Sequence, residues 1–108
     1  ERFKQKIMGA REQAELDSRG DLTYKELACR LAKAYAAKEA FVKALGTGFR
    51  DGIFMKDIQI LHTDLGKPEL LISGMAFTYL QKLSVTAQAL VSLSDDYPFA
   101  QAVVVIEK

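Results

Sequence analysis

The alanine-rich segment of residues 23–45 constrains the fold more than any other part of the sequence. It opens with Thr23-Tyr24-Lys25-Glu26, which fits a capping box because the Glu26 side chain can bond back to the amide of the cap residue. Alanine is the best helix former, and Gly46 follows the segment as a helix stop. The sequence therefore predicts one long helix that ends before Gly46.

Beyond this helix the sequence changes to β-branched and apolar runs. Runs of strand length occupy residues 58–61, 70–72, 89–93 and 100–106. Gly66-Lys67-Pro68 predicts a turn between the first two runs. Ser73 is expected to cap a short helix over residues 73–83, and residues 1–18 predict a helix that Gly9 breaks. This order predicts an α+β domain, with N-terminal helices and a long central helix packed on a mainly antiparallel sheet.

Length and composition indicate a soluble single domain. A chain of 108 residues, 49% of them hydrophobic, is long enough for one core but too short for two. No apolar run approaches the ~20 residues that a membrane span needs, and a single cysteine, Cys29, suits a reducing compartment. We therefore expect one domain over residues 1–108, in the cytoplasm, with no membrane as partner.

The net charge of +1 hides an asymmetry between the two halves of the chain. Residues 1–50 carry 11 basic and 7 acidic side chains, whereas residues 51–108 carry 4 and 7. A basic first half favours an anionic partner, such as a phosphate-bearing ligand or an acidic protein, although a solvated helix surface explains it equally well. No dense basic stripe alternates with aromatic side chains, so nucleic acid is not expected as a partner.

Three charged residues of the long helix are candidates for a site. On a helical wheel Lys38 falls in the middle of the apolar face, where it must snorkel or meet an anion, and snorkelling is the commoner outcome. Glu39 and Lys43 lie four residues apart on a neighbouring flank, beside small alanines. This spacing favours a surface ion pair worth roughly a few tenths of a kcal/mol. The same two groups can instead hold a metal ion and a phosphate together.

Gly46-Thr47-Gly48 follows the long helix directly. Its backbone amides could cradle a phosphate, although it lacks the spacing of a Walker loop. The segment lies at a helix C-terminus, where the helix dipole repels anions. Capping of the helix is therefore the better interpretation from the residues alone.

The run of residues 36–49, AAKEAFVKALGTGF, resembles the signature of the 4'-phosphopantetheinyl transferases. Within that superfamily it is similar to the small trimeric holo-(acyl-carrier-protein) synthases. Further segments agree in order and spacing: FMKDI at residues 54–58, LGKP at residues 65–68, VSLSD at residues 91–95 and AQAVV at residues 100–104. The resemblance covers nearly the whole chain.

This resemblance implies an enzyme of fatty acid biosynthesis. The family transfers 4'-phosphopantetheine from coenzyme A to a serine of apo acyl carrier protein in a magnesium-dependent reaction, and releases adenosine 3',5'-bisphosphate. Because the carrier protein supplies the serine, no internal Ser-His-Asp triad is needed. The family's homotrimer places the coenzyme site between protomers, and we expect the same assembly here.

By position, the resemblance also assigns roles to residues of the long helix and the loop after it. Glu39 matches the magnesium-binding glutamate, and Lys43 matches the lysine beside the coenzyme A phosphates. Lys38 is expected to join them at the coenzyme. The loop that borders the coenzyme pocket in the family corresponds to Gly46, Thr47 and Gly48.

Two further sets of residues match parts of the family that meet partners. Lys67 and Pro68 match residues that contact coenzyme A from the adjacent protomer. Arg2, Phe3 and Lys6 match the basic and apolar helix face that docks the acidic carrier protein. This docking face would account for the basic first half of the chain.

The sequence departs from the family at several positions. The family opens with a strand carrying Gly-x-Asp-Ile-Val, whose aspartate is the second magnesium ligand, and this sequence starts downstream of it. Without that strand, the chain is expected to bind magnesium poorly and to leave a sheet edge exposed. Ala34 stands where many relatives have arginine, with Lys33 pointing elsewhere on the wheel. Asp95 stands where many have histidine, and Asp95-Asp96 is typical of a turn rather than of substitute metal ligands.

Other functions receive less support from the residues. Cys29 and His62 suggest a thiol nucleophile with a base, but Cys29 lies inside a helix and is expected to be a buried structural thiol. His62, on a strand, is expected to be partly exposed or hydrogen-bonded rather than a ligand.

The main alternative is a non-catalytic relative that binds an acidic carrier protein through Arg2 and Lys6. Retention of Lys38, Glu39 and Lys43 argues against it, because a binding module has no need for a metal-phosphate cluster.

Overall fold

In the described part of the chain, three α-helices precede two β-hairpins, and a fourth helix lies between the hairpins. A computed structural model describes residues 2–50, 52–96 and 99–108, with the side chains of Arg2, Phe3 and Asp96 outside the description. The elements are α1 (Arg2–Ile7), α2 (Ala10–Asp17), α3 (Tyr24–Leu45), a 3-10 helix (Met55–Asp57), β1 (Ile58–His62), β2 (Pro68–Ile72), α4 (Gly74–Leu83), β3 (Gln88–Asp96) and β4 (Phe99–Glu107). The predicted α+β class and the order of its elements are confirmed.

Both ends of α3 form as the sequence predicts. The amide of Glu26 donates to Thr23 Oγ1 at 3.1 Å, and the amide of Thr23 donates to Glu26 Oε1 at 3.0 Å, which completes the capping box. These bonds from Thr23 hold the pKa of Glu26 below its usual value. At the other end Gly46 adopts a left-handed conformation, with φ of 89°, and ends the helix.

The break at Gly9 separates α1 from α2 and depends on a residue of β1. Gln59 Oε1 accepts hydrogen bonds from the amides of Arg11 at 2.9 Å and Glu12 at 3.1 Å, so a strand side chain caps the N-terminus of α2. A Cβ atom at residue 9 would lie 2.4 Å from the Gln59 side chain and 2.6 Å from the Lys56 carbonyl oxygen. Glycine is therefore needed here for close approach.

Two antiparallel hairpins make up the β structure of the described residues. β1 pairs with β2, with Ile58 opposite Ile72, and β3 pairs with β4, with Gln88 opposite Glu107. Side chains of β4 alternate between half-buried and exposed, and α3 packs against this strand. The turn predicted at Gly66-Lys67-Pro68 joins β1 to β2.

The outer edge of β1 is closed by helix α2 rather than by a strand. The amide of Ile60 donates to Glu12 Oε2 at 2.9 Å, and the amide of His62 donates to Glu15 Oε1 at 2.9 Å. The two carboxylates stand where the carbonyl groups of a neighbouring strand would stand. The sheet edge expected to be exposed is therefore not found at β1.

Within the described residues the core consists of two clusters distributed along α3. The C-terminal part of α3 packs with Ile58, at the start of β1, through Phe41, Val42 and Leu45. Further toward its N-terminus, Ala34 and Ala37 belong to a cluster with Ile60. β1 thus runs antiparallel to α3, and the turn after β1 lies toward the N-terminal end of α3.

Helix α4 occupies the predicted position, but the predicted cap is wrong. Ser73 is the N-cap residue and its side chain caps no amide of the helix. Its hydroxyl instead lies 3.4 Å from the carbonyl oxygen of Asp57 and donates to it. Ala76 and Leu80 are buried and attach α4 to the core cluster of Phe41.

Candidate active site

Glu39 and Lys43 project from one flank of α3 without contacting each other. The Glu39 side chain is half-buried, and Lys43, one turn later, is exposed. Among the described residues the Glu39 carboxylate accepts one hydrogen bond, from Tyr35 Oη at 3.5 Å, which is the outer limit of such a bond. No ion pair joins Glu39 to Lys43. The surface ion pair that the spacing favours is therefore not formed, and within the described residues neither charge is neutralised by an ion pair.

The glycine-rich loop after α3 uses its amides to close the helix. The amides of Gly46, Thr47 and Gly48 all donate to the carbonyl oxygen of Val42, at 3.0, 3.2 and 3.3 Å. The capping interpretation is confirmed. An amide cradle for phosphate does not fit this geometry, because the donors are already engaged. The Thr47 hydroxyl donates to the Gly48 carbonyl oxygen at 2.9 Å.

Lys38 does not snorkel, and its position does not fit the contact with the coenzyme that the resemblance implies. The side chain is 0% exposed, and its ammonium donates to Glu12 Oε1 at 2.7 Å, Met55 O at 2.9 Å and Ile58 O at 2.7 Å. All three protons are used inside the protein. Burial lowers the pKa of Lys38, and the charge of Glu12 with its hydrogen bond offsets only part of this effect.

Glu12, which the sequence analysis missed, is the second member of this buried pair. It is 3% exposed, and its carboxylate accepts from the Gly9 amide at 3.0 Å, from Lys38 and from the Ile60 amide. One signal for it was present in the sequence, because a glutamate three residues after a helix break is the partner in a capping box. Gly9 in place of serine or threonine concealed that signal.

His62 and Glu15 form a second pair between β1 and α2. The ring Nδ1 of His62 lies 2.8 Å from Glu15 Oε2, which confirms a hydrogen-bonded histidine. Partial burial by itself would raise the pKa of Glu15, but the hydrogen bonds from the ring and amide of His62 outweigh burial and leave that pKa lowered. A small cavity beside this pair is lined in part by Ala34, which stands at the position where the resemblance leads one to expect arginine in many relatives.

Lys33 reaches the end of β3. Its Nζ lies 3.8 Å from Oδ2 of Asp95, and both side chains are partly exposed. Asp95 is thus part of an ion pair, while the Asp96 side chain falls outside the description. Cys29 is half-buried rather than buried, in a cleft that it shares with Arg30 and Lys33.

Lys67 and Pro68 are not brought near Glu39 within one chain. Pro68 pairs with His62 at the tip of the β1–β2 hairpin, and Lys67 is exposed in the turn before it. This tip lies toward the N-terminal end of α3, whereas Glu39 and Lys43 lie in its C-terminal half. A single chain therefore separates two groups of residues that the resemblance places at one coenzyme.

The predicted docking face is described only in part. Lys6 is exposed on α1 beside an open cleft, which Phe54 and Lys56 also line. Phe54 is 66% exposed. Arg2 and Phe3 belong to α1 by their backbone, but their side chains lie outside the described residues.

The described residues contain neither a group of three or more potential metal ligands nor a helix suited to crossing a membrane. Across residues 2–50, 52–96 and 99–108, no three His, Cys, Asp or Glu side chains gather as a metal-binding group. Within the same ranges, no helix has the length and apolar character needed to cross a membrane.

Comparison with known proteins identifies the class to which this fold and these residues belong. Residues 1–102 match the family model of the 4'-phosphopantetheinyl transferase superfamily, and the chain is a member of that superfamily.

Three of the relatives that this chain matches are holo-(acyl-carrier-protein) synthases. A holo-(acyl-carrier-protein) synthase of Brucella ovis is 39% identical over 98% of this chain and 78% of its own length. The crystal structure of the synthase from Neisseria meningitidis matches with a TM-score of 0.80 and 35% identity, over 100% of this chain and 82% of that one. The synthase from Bacillus anthracis, in complex with CoA (3',5'-ADP), matches with a TM-score of 0.78 and 30% identity, over 97% and 79%.

Proposed function

We propose that the protein is a holo-(acyl-carrier-protein) synthase. A serine hydroxyl of an apo acyl carrier protein releases its proton as its oxygen forms a bond to the phosphopantetheine phosphorus of coenzyme A, the pyrophosphate P–O bond breaks, and adenosine 3',5'-bisphosphate leaves with the electron pair of that bond. The named activity of the relatives supports this proposal. The observation on this chain that carries it is the pair Glu39 and Lys43, which share one flank of α3 without neutralising each other.

Glu39 is the residue that would hold magnesium. Its half-buried carboxylate accepts a single long hydrogen bond within the described residues, so its oxygens retain lone pairs for a hard cation. Magnesium needs only one or two carboxylates when a pyrophosphate supplies further oxygens. When bound, the ion would neutralise charge that develops on the transferred phosphoryl group.

Lys43 and the loop that follows would position the coenzyme. The exposed Lys43 ammonium can donate to phosphate oxygens from the turn after Glu39. Gly46 and Gly48 have positive φ and carry no side chains, so a ligand can approach their backbone closely. The hydrogen bond from the Thr47 hydroxyl to the carbonyl oxygen of Gly48 stabilises the conformation of this loop. Lys38 is not proposed to contact the coenzyme, because its ammonium donates all three protons to groups inside the protein.

The coenzyme site is proposed to form between protomers of a homotrimer. Lys67 and Pro68 lie at the far end of the β1–β2 hairpin from the C-terminal half of α3. They would reach a coenzyme bound at Glu39 only from another protomer.

An acidic carrier protein is proposed to dock on α1. Lys6 and Lys56 flank a cleft that contains the exposed ring of Phe54, which suits a partner with acidic and apolar side chains. Arg2 and Phe3 are proposed to extend this face. We place the whole of residues 1–108, as one domain, in cytoplasmic fatty acid biosynthesis.

The proposal is tested by the intact mass of an apo acyl carrier protein after incubation with the protein, coenzyme A and magnesium. The expected result is a mass gain of one phosphopantetheine group, abolished when coenzyme A is omitted. A parallel reaction uses the protein extended by a Gly-x-Asp-Ile-Val strand, which carries the family's second magnesium ligand. No mass gain in either reaction would overturn the proposal and favour the non-catalytic carrier-binding alternative.

A further inference from the structure

The Glu12–Lys38 ion pair is the most deeply buried charged group among the described residues. Its side chains are 2% and 0% exposed, and its closest N–O distance is 2.7 Å. Removing two charges from water is costly, and a well-packed apolar pair of similar volume is often no less stable. Stability alone therefore gives no reason for a lysine and a glutamate at this place.

The pair joins four elements through two side-chain termini. The Lys38 ammonium connects α3 to α2 through Glu12, to the 3-10 helix through Met55 O and to β1 through Ile58 O. The Glu12 carboxylate adds the amide of Gly9, at the junction of α1 and α2, and the amide of Ile60 in β1. No buried side-chain polar atom of the described residues lacks a partner, so this network is complete.

Lys38 directly precedes Glu39 in α3. On the N-terminal side of Lys38 the inward face of the helix is made by Ala34 and Ala37, whose small side chains resist rotation of the helix less than the buried Phe41 and Val42 on its C-terminal side. Three hydrogen bonds from Lys38 to three other elements do resist it. Since a glutamate carboxylate lies about 6 Å from the helix axis, a rotation of about 20° would displace it by about 2 Å.

We infer that Glu12 and Lys38 are positioning residues, which hold Glu39 in place relative to the junction that carries α1. The inference rests on the proposed function. Phosphoryl transfer requires the serine, the phosphorus and the metal ligand in one geometry, and a displacement of about 1 Å can cost about a hundredfold in rate. Binding of coenzyme A, which depends on several exposed groups, is less sensitive to such a shift.

Three variants separate positioning from stability. Lys38→Met removes the ammonium while keeping a long helix-forming side chain, and it leaves a buried carboxylate unpaired. Glu12→Gln keeps the shape and one acceptor oxygen. The double variant removes both charges and is expected to recover part of the stability lost in Lys38→Met, because no unpaired charge remains. Asp17→Asn is the control, since it breaks the exposed Lys4–Asp17 pair, which also joins α1 to α2.

For each folded variant, kcat and KM for both substrates are measured beside the free energy of unfolding. We expect kcat of the double variant to stay about tenfold or more below that of the unchanged protein, with KM for coenzyme A within about threefold. Asp17→Asn should match the unchanged protein. If kcat recovers in step with stability, the pair is only structural and the inference is wrong. Should the Lys38 variants not fold, Glu12→Gln carries the same test with a smaller expected loss of kcat.

Failure of the inference can be told from failure of the proposed function. If the unchanged protein, with and without the N-terminal extension, modifies no carrier protein, the proposed function fails and the inference falls with it. If the unchanged protein is active and the double variant turns over equally fast, only the inference fails.

Discussion

The ring of His62 and the backbone amide of the same residue both bond to the carboxylate of Glu15, at 2.8 and 2.9 Å. This two-point contact ties the end of β1, and with it the turn that carries Lys67, to α2. Because both hydrogen bonds favour the charged carboxylate, they hold the pKa of Glu15 below its usual value of 4.5 despite its partial burial.

The stability of the protein should therefore depend on Glu15 in acid. The unfolded carboxyl group binds its proton more tightly than the folded one, so the contribution is fully present above pH 4.5. It is lost as the pH falls through the lower pKa of the folded state. Urea unfolding at a series of pH values between about 3 and 6 should show a shallower pH dependence for Glu15→Gln. Glu107→Gln serves as control, and equal slopes for Glu15→Gln and the unchanged protein would contradict the prediction.

Reversing the charge at Lys43 should weaken coenzyme A binding without unfolding the protein. Lys43 is exposed and forms no ion pair within the described residues, so Lys43→Glu removes no native contact of that kind. We expect the dissociation constant for coenzyme A, measured by calorimetry, to rise about tenfold or more, since phosphate oxygens would face a like charge. Lys108→Glu makes the same change in net charge at the exposed C-terminus. Unchanged affinity in Lys43→Glu would refute the assigned role.

Substitution of alanine for Gly46 and for Gly9 should lower the stability of the protein by different amounts. Gly46→Ala is expected to cost about 1 kcal/mol, because φ is positive there but nothing lies within 4 Å of the added Cβ. Gly9→Ala is expected to cost more, about 2 to 3 kcal/mol, because its Cβ would press against Gln59 and the Lys56 carbonyl oxygen. The free energies of unfolding in urea measure both. The reverse order would show that the α1–α2 junction moves freely.

The proposed trimer predicts that the protein associates at micromolar concentration. The outer face of the β3–β4 hairpin offers an apolar surface in the described residues, with Leu90, Val103 and Val105 about half exposed. Light scattering should give three times the mass of one chain, and Val103→Lys should lower that mass while leaving the circular dichroism of the fold unchanged. Gln81→Lys, on the exposed side of α4, is the control. A stable monomer would contradict the trimer.

Local features of the fold were predictable because their causes lie close together in the chain. The capping box joins residues 23 and 26, and the stop at Gly46 needs only a glycine in the left-handed region. The helix break at Gly9 and the strand positions follow from residue type and periodicity in the same way. The prediction that the Ser73 side chain caps α4 was wrong, because its hydroxyl donates to an acceptor distant in sequence, the carbonyl oxygen of Asp57.

The features of the candidate site that were not predicted depend on contacts between residues far apart in sequence. A helical wheel shows that Lys38 faces inward. It cannot show that Glu12, which belongs to another helix, lies close enough to form an ion pair with Lys38. The reach of Lys33 to Asp95 likewise depends on how β3 approaches α3. The roles of Glu39 and Lys43 came from the resemblance, and they stay predictions until coenzyme binding and transfer are measured.

The contact between α2 and β1 also limits how the length of this chain can vary. Glu12 and Glu15 accept hydrogen bonds from alternate amides of β1. A spacing of three residues along α2 must therefore match a spacing of two residues along β1. Insertion or deletion of one residue between the two glutamates would turn one carboxylate about 100° away from the strand. Alignments of relatives should therefore contain no gap inside this short span, whereas the turn at residues 18–21 can change length without disturbing either carboxylate.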